Sequence, residues 1–545
     1  VLPLPAALAP LGIAIYSERL HKRRKSALLE NLRLQTFYEQ GIERLEGRWA
    51  GSAPGGEEFS RKGHCYEKDL HVLGEGSLFQ LLCTCRTEVG RRRLAGYLLQ
   101  TPAMHETELR QEAVRELRNR SDLRESVALL GEYSFQESTW DTIVEWLDSP
   151  ALRIRPAFRI TAFCTSSLLA ALLLAGIAGV AFWSGLAPWI GGLLLIQGAL
   201  GIVYRTRFLR SRETIPSVGL EVGILRQGMA LLQRQKFHAA LLEQAARASF
   251  DDDPPKQIHK VERLIGALID RDKPWFYAIS RALLVGTQAF LAIEIWRVKH
   301  RKSMHRWLHA WGEFEALMAL ANYGYEHPDH PFPQFLRGRA ALESTGLGHP
   351  LLPAGTCVRN DIAFNEETRF CVISGSNMAG KSTLLRAIGL NAVLAYAGAP
   401  VCAEAMALSH FSICASMAVE DSLLSGTSKF LAEIDRLKHA LTAPAEQKPV
   451  LFLVDELLSG TNSKDRRIAA ELIIKALLRQ GAVGAISTHD LALTEIAALA
   501  DLKGANMHMG SDEDSDPMHF DYLLKPGVAH RSNALAIARL AGVLQ

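Results

Sequence analysis

"FCVISGSNMAGKSTLLRAIG", residues 370 to 389, changes character twice in a short space. It opens as an apolar β-type run from Phe370 to Ser374, passes through a loop from Gly375 to Gly380, and continues from Lys381 in helical pattern. Strand, Gly-x-x-x-x-Gly-Lys-Ser, helix is the context that a phosphate-binding loop requires. Glycines let the backbone amides of Gly375, Ser376, Asn377, Met378, Ala379 and Gly380 converge on phosphate oxygens, and the helix N-terminus beginning at Lys381, Ser382 and Thr383 adds partial positive charge. Lys381 is expected to reach the β and γ phosphates of ATP, and Ser382 to ligate Mg2+.

Downstream, "VLFLVDELLSGT", residues 450 to 461, supplies a continuous apolar run that ends in two acids. Such a run suits a strand buried on both faces of a parallel sheet. Asp455 is then placed to hold the magnesium, directly or through water, and Glu456 to orient and polarise the attacking water. "GAISTHD", residues 484 to 490, reads as another core strand, with His489 just past its end where an imidazole can meet the γ phosphate or the water.

Upstream, the pattern is helical. Ser26 to Trp49 is amphipathic, "AGSAPGGEE" marks a loop, residues 70 to 150 form a second helical block, and "PDHPFP", residues 328 to 333, reads as the linker into the last domain. "SDEDSD", residues 511 to 516, reads as a solvated loop. One stretch breaks the soluble pattern: between Ile160 and Tyr204 there is no Asp, Glu, Lys, Arg or His, and "WSGLAP" interrupts it near the middle. Two crossings of about 20 residues fit that length. Arg153, Arg155 and Arg159 precede the stretch, and Arg205, Arg207, Arg210 and Arg212 follow it, so both ends are expected on the cytoplasmic side. A further apolar segment, residues 275 to 296, carries Arg281 and Glu294. A crossing there would put the ATPase outside the cell, so it is expected to be a long packed helix. At the start, "VLPLPAALAPLGIAIY" meets the basic cluster His21 to Lys25, an order that fits the tail of a membrane span better than a signal peptide.

Composition sets bounds but does not decide. With 545 residues the chain is too long for one core, and a net charge of +3 with 22% charged residues neither demands nor excludes nucleic acid. The eight cysteines lack a second close pair to complete a zinc site with Cys83 and Cys85, and are read as reduced thiols.

"SGSNMAGKSTLL", "DSLLSGTSKFLAEI", "LFLVDELLSGTNSKDR" and "STHD", in that order, resemble the ATPase domain of the MutS family, a branch of the ABC-type ATPases. The tail "DYLLKPGVAHRSNALAIARLAGVL" resembles the family's ending, while "DLHVLGEGSLFQLLCTCRTEVGRRRLAGYLLQTP" and "RQEAVREL" resemble the start of its helical lever. The resemblance covers about residues 66 to 150 and 305 to 545. It implies a homodimer formed through the ATPase domain, with Ser428 as the signature serine reaching in trans to the partner's γ phosphate, and Asn377 and Met378 in the family's Asn-Met loop. There are departures. Ser376 stands where the family usually has proline, and Ala536 where mismatch-repair members carry a histidine near the adenine. "FYE", residues 37 to 39, lies in an amphipathic helix without the preceding mixed α/β domain, so it is not read as the mismatch-recognising wedge. The family's usual dimerising helices are not expected after Gln545.

The expected architecture is an α/β ABC-type P-loop ATPase domain at the C-terminus, preceded by an all-α lever-like domain interrupted by a transmembrane helical hairpin. Its segments are a truncated span and basic flank over 1–25, helix and linker over 26–65, lever helices over 66–156, the hairpin over 157–205, further lever over 206–335, and the ATPase domain over 336–545. Two functions follow. One is an ATPase at the cytoplasmic membrane, its ATPase domain facing the cytoplasm, that binds and hydrolyses ATP with Mg2+ and contacts mismatched or structured DNA. The other is an ATP-driven factor, without DNA binding, that remodels a membrane or protein complex.

Overall fold

The structure, a computed structural model, describes residues 4–131, 140–152, 155–179, 182–203, 222–271, 273–274, 276–376, 378–417, 433–434, 436, 438, 448–458, 463–499, 501–510 and 520–529. Contacts divide the chain into two units: residues 1–84, 91–129 and 316–545 in one, and residues 85–90 and 130–315 in the other. The first part of the expected lever thus clusters largely with the ATPase region. A single helix, Leu4–Leu45, runs through the boundary expected at residue 25.

The first unit holds ten strands among the described residues: β1 Gln334–Phe335, β2 Leu342–Leu347, β3 Asn360–Phe364, β4 Phe370–Ser374, β5 Ala405–Leu408, β6 Ser412–Ser416, β7 Val450–Asp455, β8 Val483–Thr488, β9 Gly504–His508 and β10 Lys525–Pro526. Four form a sheet in the order β1-β5-β2-β3, and six form the central sheet in the order β10-β9-β4-β8-β7-β6. In the central sheet β4, β6, β7, β8 and β9 run parallel, with β10 antiparallel at the edge. The expected strand at Phe370–Ser374 is present with the same bounds, and the apolar runs at 450 and 484 are buried parallel strands. Burial on both faces explains why they read as unbroken apolar stretches rather than alternating ones.

The helix Ser463–Arg479 lays Ala470, Ile474, Leu477 and Leu478 on Phe452, Val454 and Ile486. The helix Lys381–Ala397 is buried along almost its whole length. Gly389 lets it pack closely: a Cβ there would meet Leu70 at 2.5 Å and Leu453 at 3.0 Å. Leu70 belongs to the N-terminal stretch that covers the sheet edge, where the Ala415 amide donates to the Cys65 carbonyl (2.9 Å). An open sheet edge is a template for unwanted pairing, and this stretch closes it.

A titratable group in this unit yields a stability prediction. Burial, helped by Arg386 and His71, pushes the His349 imidazole down from 6.5 to about 4. Above the unfolded pKa both states are neutral. As pH falls below about 6.5 the unfolded chain takes up a proton that the folded chain refuses until about 4, so stability is lost across that window, on the order of 3 kcal/mol in all. His330, pushed to about 3 by burial and then by His327, acts in the same direction. Urea midpoints measured from pH 7 to pH 4 should fall, and His349→Gln should flatten the curve. An unchanged slope in that variant would remove His349 as the cause.

The second unit is helical among its described residues. Its helices are Trp140–Asp148, Pro156–Ile177, Trp183–Val203, 222–233, Ala240–Ala248, Pro254–Asp270, Tyr277–Ala282 and the part of Val285–Glu326 up to Glu315. Arg297, 2% exposed, ion-pairs with Glu294 (2.8 Å) and donates to the carbonyls of Trp146, Leu147 and Ser149 at the end of the first helix. A buried guanidinium here satisfies carbonyls that the helix leaves without partners.

Two helices, Ala157–Ile177 and Trp183–Ile202, are long and apolar enough to cross a membrane, with only 22% and 11% of their apolar windows buried. They contact each other, and Gln197 and Gln288 both donate to the Ser166 hydroxyl (3.3 and 2.9 Å). The segment expected as one packed helix over 275–296 is instead broken. Tyr277–Ala282 ends, Leu284 adopts a φ of 53°, and a new helix begins at Val285. Ser166 and Gln288 both donate to the Leu283 carbonyl that the break exposes (2.9 and 3.1 Å). Hydropathy carries no record of such a side-chain partner.

Candidate nucleotide site

The parallel sheet brings the site together through register. β4 lies between β8 and β9, and Ser374 is level with Thr488 and His508, while Asp455 is level with Ser487. The C-terminal ends of β4, β7 and β8 therefore open on one place, the usual position of ligands in such sheets.

The loop after β4 turns on Gly375, whose φ is 146°, and a Cβ there would lie 2.2 Å from the Met509 carbonyl oxygen. No other residue fits that approach. The Met509 amide in turn donates to the Ser374 carbonyl (3.0 Å), so the end of β9 braces the loop. Gly380, with φ 93°, begins the helix Lys381–Ala397. Ala379 is fully buried, its amide donating to the Ser376 carbonyl (3.2 Å), whereas Met378 is exposed. Thr383 is exposed in the first turn of the helix. Asn377 and Ser428, both expected in the site, lie outside the described residues, as do Ala536 and residues 511–516.

Lys381 is 3% exposed, and its ammonium donates to the carbonyls of Gly375 and Ser376, 2.7 Å each. Burial lowers its pKa, while Asp455 and Glu456 oppose that shift. The Ser382 hydroxyl donates to Asp455 Oδ2 at 2.6 Å, and the other oxygen, Oδ1, accepts from Ser487. One residue on, Glu456 adopts a φ of 53° and its amide donates to the Ser487 carbonyl (3.1 Å) and hydroxyl (3.2 Å). His489 Nδ1 lies 3.1 Å from Glu456 Oε1. All the expected site residues among the described ones, Gly375, Ser376, Met378, Ala379, Gly380, Lys381, Ser382, Thr383, Asp455, Glu456 and His489, thus belong to this one loop, helix start and pair of strand ends.

These residues fit a nucleoside triphosphate with a divalent cation. The Ser382 hydroxyl and the Asp455 carboxylate adjoin, as a hard cation needs. Among the described residues the Ser376 hydroxyl is buried without a hydrogen-bond partner, at the loop that would wrap phosphate. The Glu456 carboxylate lies one residue on from Asp455, its backbone left-handed and its Oε1 within reach of His489 Nδ1. Such strained backbone concentrates at working sites.

Ser487 escaped the sequence reading. It is fully buried and bridges Asp455 to the Glu456 amide. Its position inside "ISTHD" was visible, but its partner lies thirty-two residues away and only the β7–β8 register pairs them.

The family described as MutS domain V matches residues 371–545. The chain is 36% identical over 202 residues to the DNA mismatch repair protein MutS of Lactobacillus delbrueckii subsp. bulgaricus, covering 36% of this chain and 23% of that protein. It is 35% identical over 192 residues to the Endonuclease MutS2 of Thermus thermophilus, covering 35% of this chain and 25% of that protein. A third, the DNA mismatch repair protein MutS of Thermotoga petrophila, is 34% identical over 214 residues, 39% of this chain and 26% of that protein. The match thus spans about a quarter of the length of these curated relatives. Residues 371–545 match MutS domain V, and over this part the chain is similar to proteins of the MutS family.

Proposed function

We propose that this chain is a membrane-anchored MutS-like ATPase that binds ATP with Mg2+ at residues 375–383 and hydrolyses it as a dimer, each site completed by Ser428 of the other copy. The observation that carries the reading is the joining of Lys381, Ser382, Asp455, Glu456 and His489 at the ends of three adjacent strands. Mg2+, held at Ser382 and Asp455, would neutralise charge on the phosphates. Lys381 binds and orients the triphosphate, Glu456 takes a proton from the attacking water, and His489 holds the Glu456 carboxylate in place.

DNA contact is part of the reading because two of the relatives are named for DNA mismatch repair. Binding of the detergent-solubilised protein to homoduplex, mismatched and branched DNA, with and without ATP and over a range of salt, tests it. Affinity that falls steeply with salt and responds to ATP supports the DNA reading, because phosphate contacts release counterions.

The second reading, an ATP-driven membrane or protein-complex remodeller without DNA binding, draws on the apolar helices. Phe163, Leu174, Ile177, Phe182, Trp189 and Leu195 are each more than half exposed, a surface that water disfavours and lipid accepts. Membrane anchoring makes its own prediction. Arginine at both Leu168 and Leu195, near the helix centres, should cost about 2.5 to 3.5 kcal/mol each on insertion and shift the protein out of the carbonate-resistant membrane fraction. Wild-type protein recovered in the soluble fraction without detergent would remove the anchor from both readings.

A further inference from the structure

Past the end of β7 the backbone does something costly. Glu456 and Leu458, neither a glycine, both lie in the left-handed region, with φ of 53° and 56°. Each such residue costs on the order of 1 to 3 kcal/mol unless its surroundings hold it. Ser487 holds the first through the Glu456 amide. The second is held by a residue distant in sequence: the Leu458 amide donates to Glu433 Oε1 at 2.7 Å. Glu433 is 2% exposed, so its carboxylate is out of water and committed to buried partners. Leu457 between them is also pinned, its carbonyl accepting from Arg466 Nε at 2.7 Å.

The chain next to Glu433 is tied down as well. Arg436, three residues on, ion-pairs at 2.6 Å with Asp69, a carboxylate only 1% exposed. The same Asp69 oxygen accepts from the Met417 amide at the end of β6 (2.8 Å), and Arg386 of the phosphate-loop helix donates to the Asp69 carbonyl (3.1 Å). Three residues from Glu433, Arg436 is thus tied through Asp69 to the end of β6 and to the helix that follows the phosphate loop.

We infer that Glu433 is a positioning residue for Glu456: by accepting the Leu458 amide it keeps the turn after β7 left-handed and so aims the Glu456 carboxylate at the attacking water. This rests on the ATPase reading above. Glu433 is outside the nucleotide site, so its loss should act on turnover and spare binding.

The test compares Glu433→Ala and Glu433→Gln in the full detergent-solubilised chain. The alanine variant should lose about tenfold to a hundredfold in kcat, the usual effect of stranding one buried amide. Its ATP affinity should stay within about threefold, the pattern of an interaction that serves only the reacting state. Glutamine keeps an oxygen for the Leu458 amide and should restore most of the turnover. Hydrogen exchange supplies a readout without turnover: the Leu458 amide should exchange about tenfold faster in the alanine variant and near the wild-type rate in the glutamine one. Should the alanine variant not fold, Glu433→Asp, which retracts the carboxylate by one methylene, is expected to show the same split. Equal impairment of the glutamine and alanine variants, affinity falling in step with kcat, or an unchanged Leu458 exchange rate would overturn the inference. If wild-type protein binds but never hydrolyses ATP, the ATPase reading fails, and the exchange rates alone still decide whether Glu433 holds the turn.

Discussion

Glu456→Gln is expected to leave ATP binding within a few-fold of wild type and to lower turnover by about 10² to 10⁴, the contribution of a positioned general base. The substitution is nearly isosteric and keeps an oxygen opposite His489 Nδ1, which lies 3.1 Å from Glu456 Oε1 in the native chain. It leaves the amide bonds to Ser487 in place, because those belong to the backbone. Only the basicity of the carboxylate is lost. Single-turnover hydrolysis with radiolabelled ATP measures the effect on the chemical step, and equilibrium binding of a fluorescent ATP analogue measures the ground state. Turnover within about tenfold of wild type would remove Glu456 from the catalytic role and leave His489 without a purpose in the site.

Lys381→Ala should fail earlier. Its ammonium is buried and aimed into the loop mouth by the carbonyls of Gly375 and Ser376, and Asp455 and Glu456 help to keep it charged. Its removal takes away the one lysine of the phosphate loop and lets the loop carbonyls relax. ATP affinity and turnover should both fall, with turnover down about 10²- to 10³-fold, the scale of losing one preorganised donor to a developing charge. The two variants therefore separate: Glu456→Gln binds ATP without hydrolysing it, whereas Lys381→Ala does neither. Normal turnover in the lysine variant would sink the assignment of the nucleotide site as a whole.

Much of the site was legible because its parts are local. A strand, a turn that only glycine fits and a helix start are written in consecutive residues from Phe370 to Thr383, and the apolar run that ends in Asp455 and Glu456 announces a buried strand by its own composition. The apolar stretch between Ile160 and Tyr204 was equally plain, and two consecutive helices occupy most of it.

What lay beyond reading was every pairing across distance. That Ser487 meets Asp455 follows from the β7–β8 register, and that Glu433 meets the Leu458 amide follows from how the chain returns to the sheet. The break at Leu284 depends on Ser166 and Gln288 taking up the Leu283 carbonyl. Asp69 drew no separate reading in the sequence, yet it is buried at the sheet edge between Arg436 and the Met417 amide. The sequence by itself determined the strand–loop–helix pattern at 370–389, the apolar run that ends in two acids, the two long apolar helices and the resemblance to the MutS family, because backbone preference and hydropathy act over a few adjacent residues. Tertiary structure alone decided which buried polar groups hold the turn after β7, because a buried carboxylate or amide must find a partner and only the folded chain settles which one is within reach.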